Sequence, residues 1–175
     1  VIQKLAPDGK LCQLTLNCPR TAKSNRGSAE IKVSDDWLKA EYLSVPFATA
    51  IFSHIRKFGP STQTNKVQAL NRFFAFICEQ GKAHFELSDL TTTLFNEYIF
   101  WLDTQQLTSK TKAGLISPLR VVLRYVKQDP QYTRKVPGDA YIKPNPWPGV
   151  NEQVSHRSIL AITDLVTIER VCIKE

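Results

Sequence analysis

Three helical apolar stripes between residues 61 and 127 constrain this chain more than anything else in it. From Ser61 or Thr62 to Gln80, apolar side chains stand at Val67, Leu70, Phe73, Phe74 and Ile77. That three-and-four spacing places them on one face of an α-helix. Gly81 follows, the residue type that ends helices in the left-handed conformation. A second stretch carries Leu94, Phe95, Tyr98, Ile99, Trp101 and Leu102 behind the candidate caps Asp89, Thr91 and Thr92. It is apolar nearly all round, which predicts the central, most buried element. After the short link 104–108, Thr108 or Ser109 caps a third helix with Leu115, Leu119, Val122, Leu123 and Val126 on its inner side. Pro118 interrupts it, so a kink or a division into two shorter helices is expected. The predicted fold class is mainly α, a small orthogonal helical bundle.

The flanks read differently. Ser34-Asp35-Asp36 is a helix start, because these groups accept from free amides and suit the positive helix end. That helix carries Trp37, Leu38 and Leu43 up to Pro46, where a second can restart with Phe47, Ile51, Phe52, Ile55 and Phe58 as its stripe. Near the beginning, Pro7-Asp8-Gly9 signals a turn and Leu11 to Leu16 reads as a strand, leaving room for a short β-hairpin. Residues 19–32 are polar and basic (Arg20, Lys23, Arg26, Lys32), either a solvated loop or an arm touching phosphates. Prolines 130, 137, 144, 146 and 148 mark a linker, with Trp147 as a packing anchor between domains. Thr163-Asp164 opens a further helical pattern, too short to stand alone. The expected division is an N-terminal extension at 1–33, accessory helices at 34–59, a helical domain at 60–128, a linker at 129–160 and the start of another domain at 161–175. Val1 and the lack of methionine are expected of an excerpt or a processed product.

Charge points to a partner. Twenty-three Lys and Arg against 16 Asp and Glu give a formal +7 and a pI near 9.3, which favours nucleic acid ahead of acidic membrane or protein. On the third helix Lys110, Ser117, Arg124 and Lys127 lie near one line, with Arg120 beside it and Lys112 at the helix start. Cations in a first helical turn oppose the dipole, whereas a phosphate there would account for them. For any one of these residues a solvated face is the bland alternative. No acidic residue stands between Lys110 and Gln128, which favours the group reading. Gly114 and Ser117 keep this helix slim enough for a major groove about 12 Å wide. On the first long helix Asn65, Gln68 and Arg72 form a polar face, which is either an ordinary solvated face or one that reads DNA; Asn and Gln can pair with adenine edges, and Arg with guanine or phosphate.

Chemistry-bearing patterns are missing. Cys12, Cys18, Cys78 and Cys172 lack metal-ligand spacing, Cys78 reads as a reduced core thiol, and His54, His84 and His156 are scattered. No cofactor, metal or catalytic set is expected, since neither a phosphate-cradling glycine loop nor a nucleophile elbow occurs. No apolar run approaches the roughly 18 residues of a membrane span, and no signal peptide is evident, so a cytoplasmic binding module without membrane contact is expected.

The order of these phrases resembles the core-binding, SAM-like domain of tyrosine recombinases, the phage-integrase family. The matching phrases are Thr62 to Gly81 with Phe73, Phe74 and Phe76; Asp89-Leu90-Thr91 with Trp101-Leu102; Thr108-Ser109-Lys110-Thr111; Ser117-Pro118-Leu119-Arg120 with Tyr125; and Asn145-Pro146-Trp147. Ala161 to Glu175 looks like the opening helix of the catalytic domain. The resemblance covers about residues 60–175. It implies a parent enzyme that cuts DNA with a tyrosine, forming a 3′-phosphotyrosyl link, helped by Arg, Lys and His groups of which none is recognisable here. Tyr42, Tyr98, Tyr125, Tyr132 and Tyr141 precede that domain, and none is nominated as nucleophile. The implied partners are duplex DNA, the catalytic domain of the same parent chain, and other protomers in a tetramer on DNA. The competing expectation is a helical protein-interaction module with a basic surface and no nucleic acid partner.

Overall fold

The computed structural model describes residues 1–5, 11–18, 29–144 and 146–147. The Pro7 turn, the basic residues Arg20, Lys23 and Arg26, Asn145, and everything from Pro148 onward, including the Thr163 helix, lie outside them.

Three strands come first: β1 (Ile2–Leu5), β2 (Leu11–Cys18) and β3 (Ala29–Lys32). They form an antiparallel sheet with β2 in the centre, Gln3 opposite Leu14 and Leu16 opposite Ile31. Leu14, Leu16 and Ile31 are buried while β1 is exposed along its whole length. The expected hairpin region is therefore a three-stranded sheet, set against the helices that follow.

The helices are α1 (Asp35–Lys39), α2 (Glu41–Ile55), α3 (Pro60–Glu79), α4 (Thr92–Thr104) and α5 (Ser109–Gln128). The expected break at Pro46 is not there. Pro46 lies inside α2, and the chain turns instead at Ala40 (φ −94°, ψ 55°). The cause is tertiary. Trp37 is fully buried, stacked on Phe74 at 4.0 Å with its Nε1 donating to Asn71 Oδ1 at 2.8 Å, which fixes the direction of α1. The buried Ser44 hydroxyl sits against the carbonyls of Trp37 and Ala40 and serves as their donor where the helix is interrupted. Pro118 likewise leaves α5 as one helix. The carbonyl it cannot serve belongs to Gly114, an exposed residue that water can reach.

Gly81 does what its position predicts. At φ 67° it closes α3, with Gly81 N–H donating to Cys78 O and Lys82 N–H to Ile77 O, the paired bonds of a Schellman stop. A side chain there meets no neighbour but suffers the left-handed clash with the backbone, worth about 1–2 kcal/mol. Gly81→Ala is expected to lower unfolding free energy by about 1 kcal/mol in a denaturant titration; an unchanged midpoint contradicts this.

The core is built mainly between α2, α3 and α5, and α4 adds one face to it. Phe47, Phe73, Phe74, Phe76, Phe95 and Tyr98 interlock there, all essentially without exposure. Phe73 alone has ring centroids of Phe47, Phe95 and Tyr98 at 5.7, 6.2 and 5.3 Å. The expectation that α4 is the most buried element is overturned. Leu94, Phe95, Tyr98 and Leu102 face inward, but Phe100 is 72% exposed. An apolar residue on every side of a helix does not require a partner on every side.

The Pro-rich stretch beyond α5 does not stand away from the bundle. Tyr132, Val136, Ala140 and Ile142 are buried against it. Trp147 packs on the same core, and its Nε1 donates to Asp103 Oδ1 at 2.7 Å.

Candidate nucleic-acid interface

Thr108 caps α5, its Oγ accepting from Thr111 N–H, and the helix then presents alternating buried and exposed faces to its end. Lys110, Ser117, Arg120 and Arg124 are exposed. Lys112 is not: its relative exposure is 9%, and its Nζ donates to Asp103 Oδ1 at 2.8 Å. That oxygen also accepts from Trp147, so one carboxylate ties the end of α4, the start of α5 and the returning chain. Lys112 donation, followed by the Trp147 bond, holds the Asp103 carboxyl below its ordinary range. The misplaced cation in the first turn of α5 thus has an explanation inside the fold.

Two further cations of the stripe also touch the returning chain. Lys127 Nζ donates to Gly138 O and Ala140 O, each at 2.9 Å, and Arg120 Nη1 donates to Pro144 O at 3.2 Å. Together with Arg124, Gln128 and Tyr141 they line a shallow cleft of about 280 Å³. Arg120 and Arg124 are exposed residues there, and Tyr141 is 55% exposed.

On α3, Asn65, Gln68 and Arg72 are all exposed, on the side away from Val67, Leu70, Phe73 and Phe74. The two helices pack against each other. From Tyr42 to Cys78, and again from Thr104 to Gln128, the chain contains no carboxylate. The second interval was visible in the basic stripe. The first contains Arg56, Lys57 and Lys66, which the polar-face reading of α3 passed over; the gap in acidic residues was the signal available for them.

His54, on the inner side of α2, sits at 8% exposure between Phe58 and Tyr125, with ring centroids 5.2 and 5.9 Å away. Its Nδ1 is buried with no hydrogen-bond partner among the described residues. Burial first, then Lys66, Lys57 and Arg124, hold its pKa below the ordinary histidine value. The unfolded imidazole takes its proton near pH 6.5 and the folded one only at lower pH. Stability from this site is therefore full above about pH 6.5 and is lost as pH falls through the depressed value. The thermal midpoint is expected to drop between about pH 7.5 and pH 5, and His54→Leu to flatten that drop. Equal slopes in the two proteins would count against the site.

Tyr98 has its hydroxyl buried without a partner among the described residues, and burial raises its pKa strongly. It is built as core. Cys78 is half-buried, its thiol donating to Asp36 O at 3.5 Å, with burial again raising the pKa. No group of three His, Cys, Asp or Glu among the described residues is arranged to hold a metal ion. No described helix is long and apolar enough to cross a membrane.

A family model, described as the phage integrase SAM-like domain, matches residues 45–137. The chain belongs to that family. No curated protein and no solved structure matches it. The SAM-like match begins inside α2 and runs through α5 to Pro137, so the sheet and α1 lie outside it. It supports a tyrosine-recombinase type of DNA-binding role, and the SAM-like domain is a non-catalytic part of integrases.

Proposed function

We propose that this chain grips duplex DNA as the N-terminal arm of a tyrosine recombinase, closing one side of a clamp. One observation carries the reading: Lys110, Arg120 and Arg124 stand exposed on a helix with no carboxylate of its own. An uncompensated row of this kind repels itself and is relieved by phosphates. Lys110, Ser117, Arg120, Arg124 and Lys127 then meet the backbone, while Asn65, Gln68 and Arg72 on α3 face base edges or phosphate. Lys112 acts at one remove, seating the start of α5 through Asp103. Strand cleavage belongs to a catalytic domain of the parent chain, and the full protein works as a tetramer on DNA.

The test is a titration of the 175-residue chain against duplex DNA over a salt series. The logarithm of the binding constant should fall linearly with the logarithm of salt, by roughly 0.9 for each phosphate contacted. Affinity that ignores salt rejects the reading.

A protein-interaction surface has one observation in its favour, the exposed Phe100 beside half-buried Trp101 on α4. Retention of a protein, and no DNA, by nuclease-treated chain would favour that alternative.

A further inference from the structure

Where α2 ends and α3 begins, two lysines share one aromatic ring. Lys57 Nζ lies 5.5 Å and Lys66 Nζ 5.0 Å from the centroid of Phe58. Phe58 packs edge-on against His54, whose other aromatic neighbour, Tyr125, belongs to α5. Arg124, next to Tyr125 in the chain, is close enough to act on the same imidazole as the two lysines. Residues from α2, α3, their connection and α5 thus converge on one small surface.

Neither Lys57 nor Lys66 forms an ion pair among the described residues, and the chain from Tyr42 to Cys78 has no acidic residue to offer. A ring face attracts a cation, by about 0.5–1 kcal/mol at an exposed site, but two ammonium groups over one ring also repel each other. Stability alone does not favour the pair. What the ring supplies is order: it holds two flexible side chains so that less freedom is lost when an anion arrives.

We infer that Lys57 and Lys66 form a second phosphate-contacting patch, joined through Arg124 to the exposed row on α5, so that the duplex backbone runs across the α2–α3 corner. This rests on the DNA-binding reading and extends it to residues that reading does not use. The patch lies within the family-matched region, and contacts to phosphate carry no sequence information. They therefore tighten binding to every sequence equally.

The experiment compares three doubly substituted chains with the unaltered one, using a labelled duplex and fluorescence anisotropy over a salt series. Lys57→Gln with Lys66→Gln should lower the salt slope by about 2, near one per phosphate contact, and weaken binding several-fold. Arg134→Gln with Lys135→Gln removes the same charge where Glu41 and Glu86 stand nearby, and should leave the slope unchanged. Lys57→Arg with Lys66→Arg keeps the charge and should keep the slope. If the unaltered chain binds with normal salt dependence and the glutamine pair behaves like the Arg134/Lys135 control, the patch is refuted while the DNA reading stands. A fall in the arginine pair equal to that in the glutamine pair also refutes it, because packing would then be responsible. If the unaltered chain shows no salt dependence, both proposals fall together.

Discussion

Phe73→Ala is expected to lower the unfolding free energy by about 3–5 kcal/mol, the range for emptying a large aromatic site in a close-packed core. The ring is fully buried and meets Phe47 of α2, Phe74 and Phe76 of its own helix, and Phe95 and Tyr98 of α4. Among the described residues no other side chain touches so many of the interlocked rings. A domain of this size is stable by only about 5–15 kcal/mol, so the variant should unfold at a much lower denaturant midpoint with a similar slope. Phe100→Ala, on the outer side of α4, should change stability by less than about 0.5 kcal/mol. A loss under about 1 kcal/mol for Phe73→Ala would mean that the aromatic cluster does not hold the helices together.

The largest effect on binding is expected from replacing Lys110, Arg120 and Arg124 together by Ala. Three phosphate contacts removed should lower the salt slope by roughly 2–3 and weaken duplex binding on the order of a hundredfold at moderate salt. All three are exposed, and none has a carboxylate partner among the described residues. The fold should therefore survive, which a thermal melt checks. Binding that persists unchanged would move the interface off α5.

The helices were legible because periodicity and punctuation agree. The apolar stripe of α3 ends where Gly81 stands, and Thr91 and Thr108 cap the helices they precede. Prolines misled, since one missing hydrogen bond is a local loss while the direction of α1 is decided by Trp37 reaching Asn71 and Phe74 across the core. No spacing along the chain records a contact of that kind. The same limit applied to α4, whose composition resembles a central helix although its neighbours cover only part of it. At the interface, residue type and helical position identified the exposed cations. They did not reveal that Lys112 turns inward to Asp103, nine residues back on another helix. Lys57 and Lys66 escaped notice for the converse reason: they come together only through the folding of α2 against α3.

The cations that fasten the segment 138–144 bind main-chain oxygens, of Gly138, Ala140 and Pro144. Every residue type offers such an oxygen, so these three bonds are encoded in α5 and not in the segment, whose own contribution is the burial of Ala140 and Ile142. Replacing Lys127 or Arg120 therefore alters two things at once, the partner's footing and the path of the chain leaving the bundle. Arg124 holds no such oxygen among the described residues, so its replacement leaves that fastening in place.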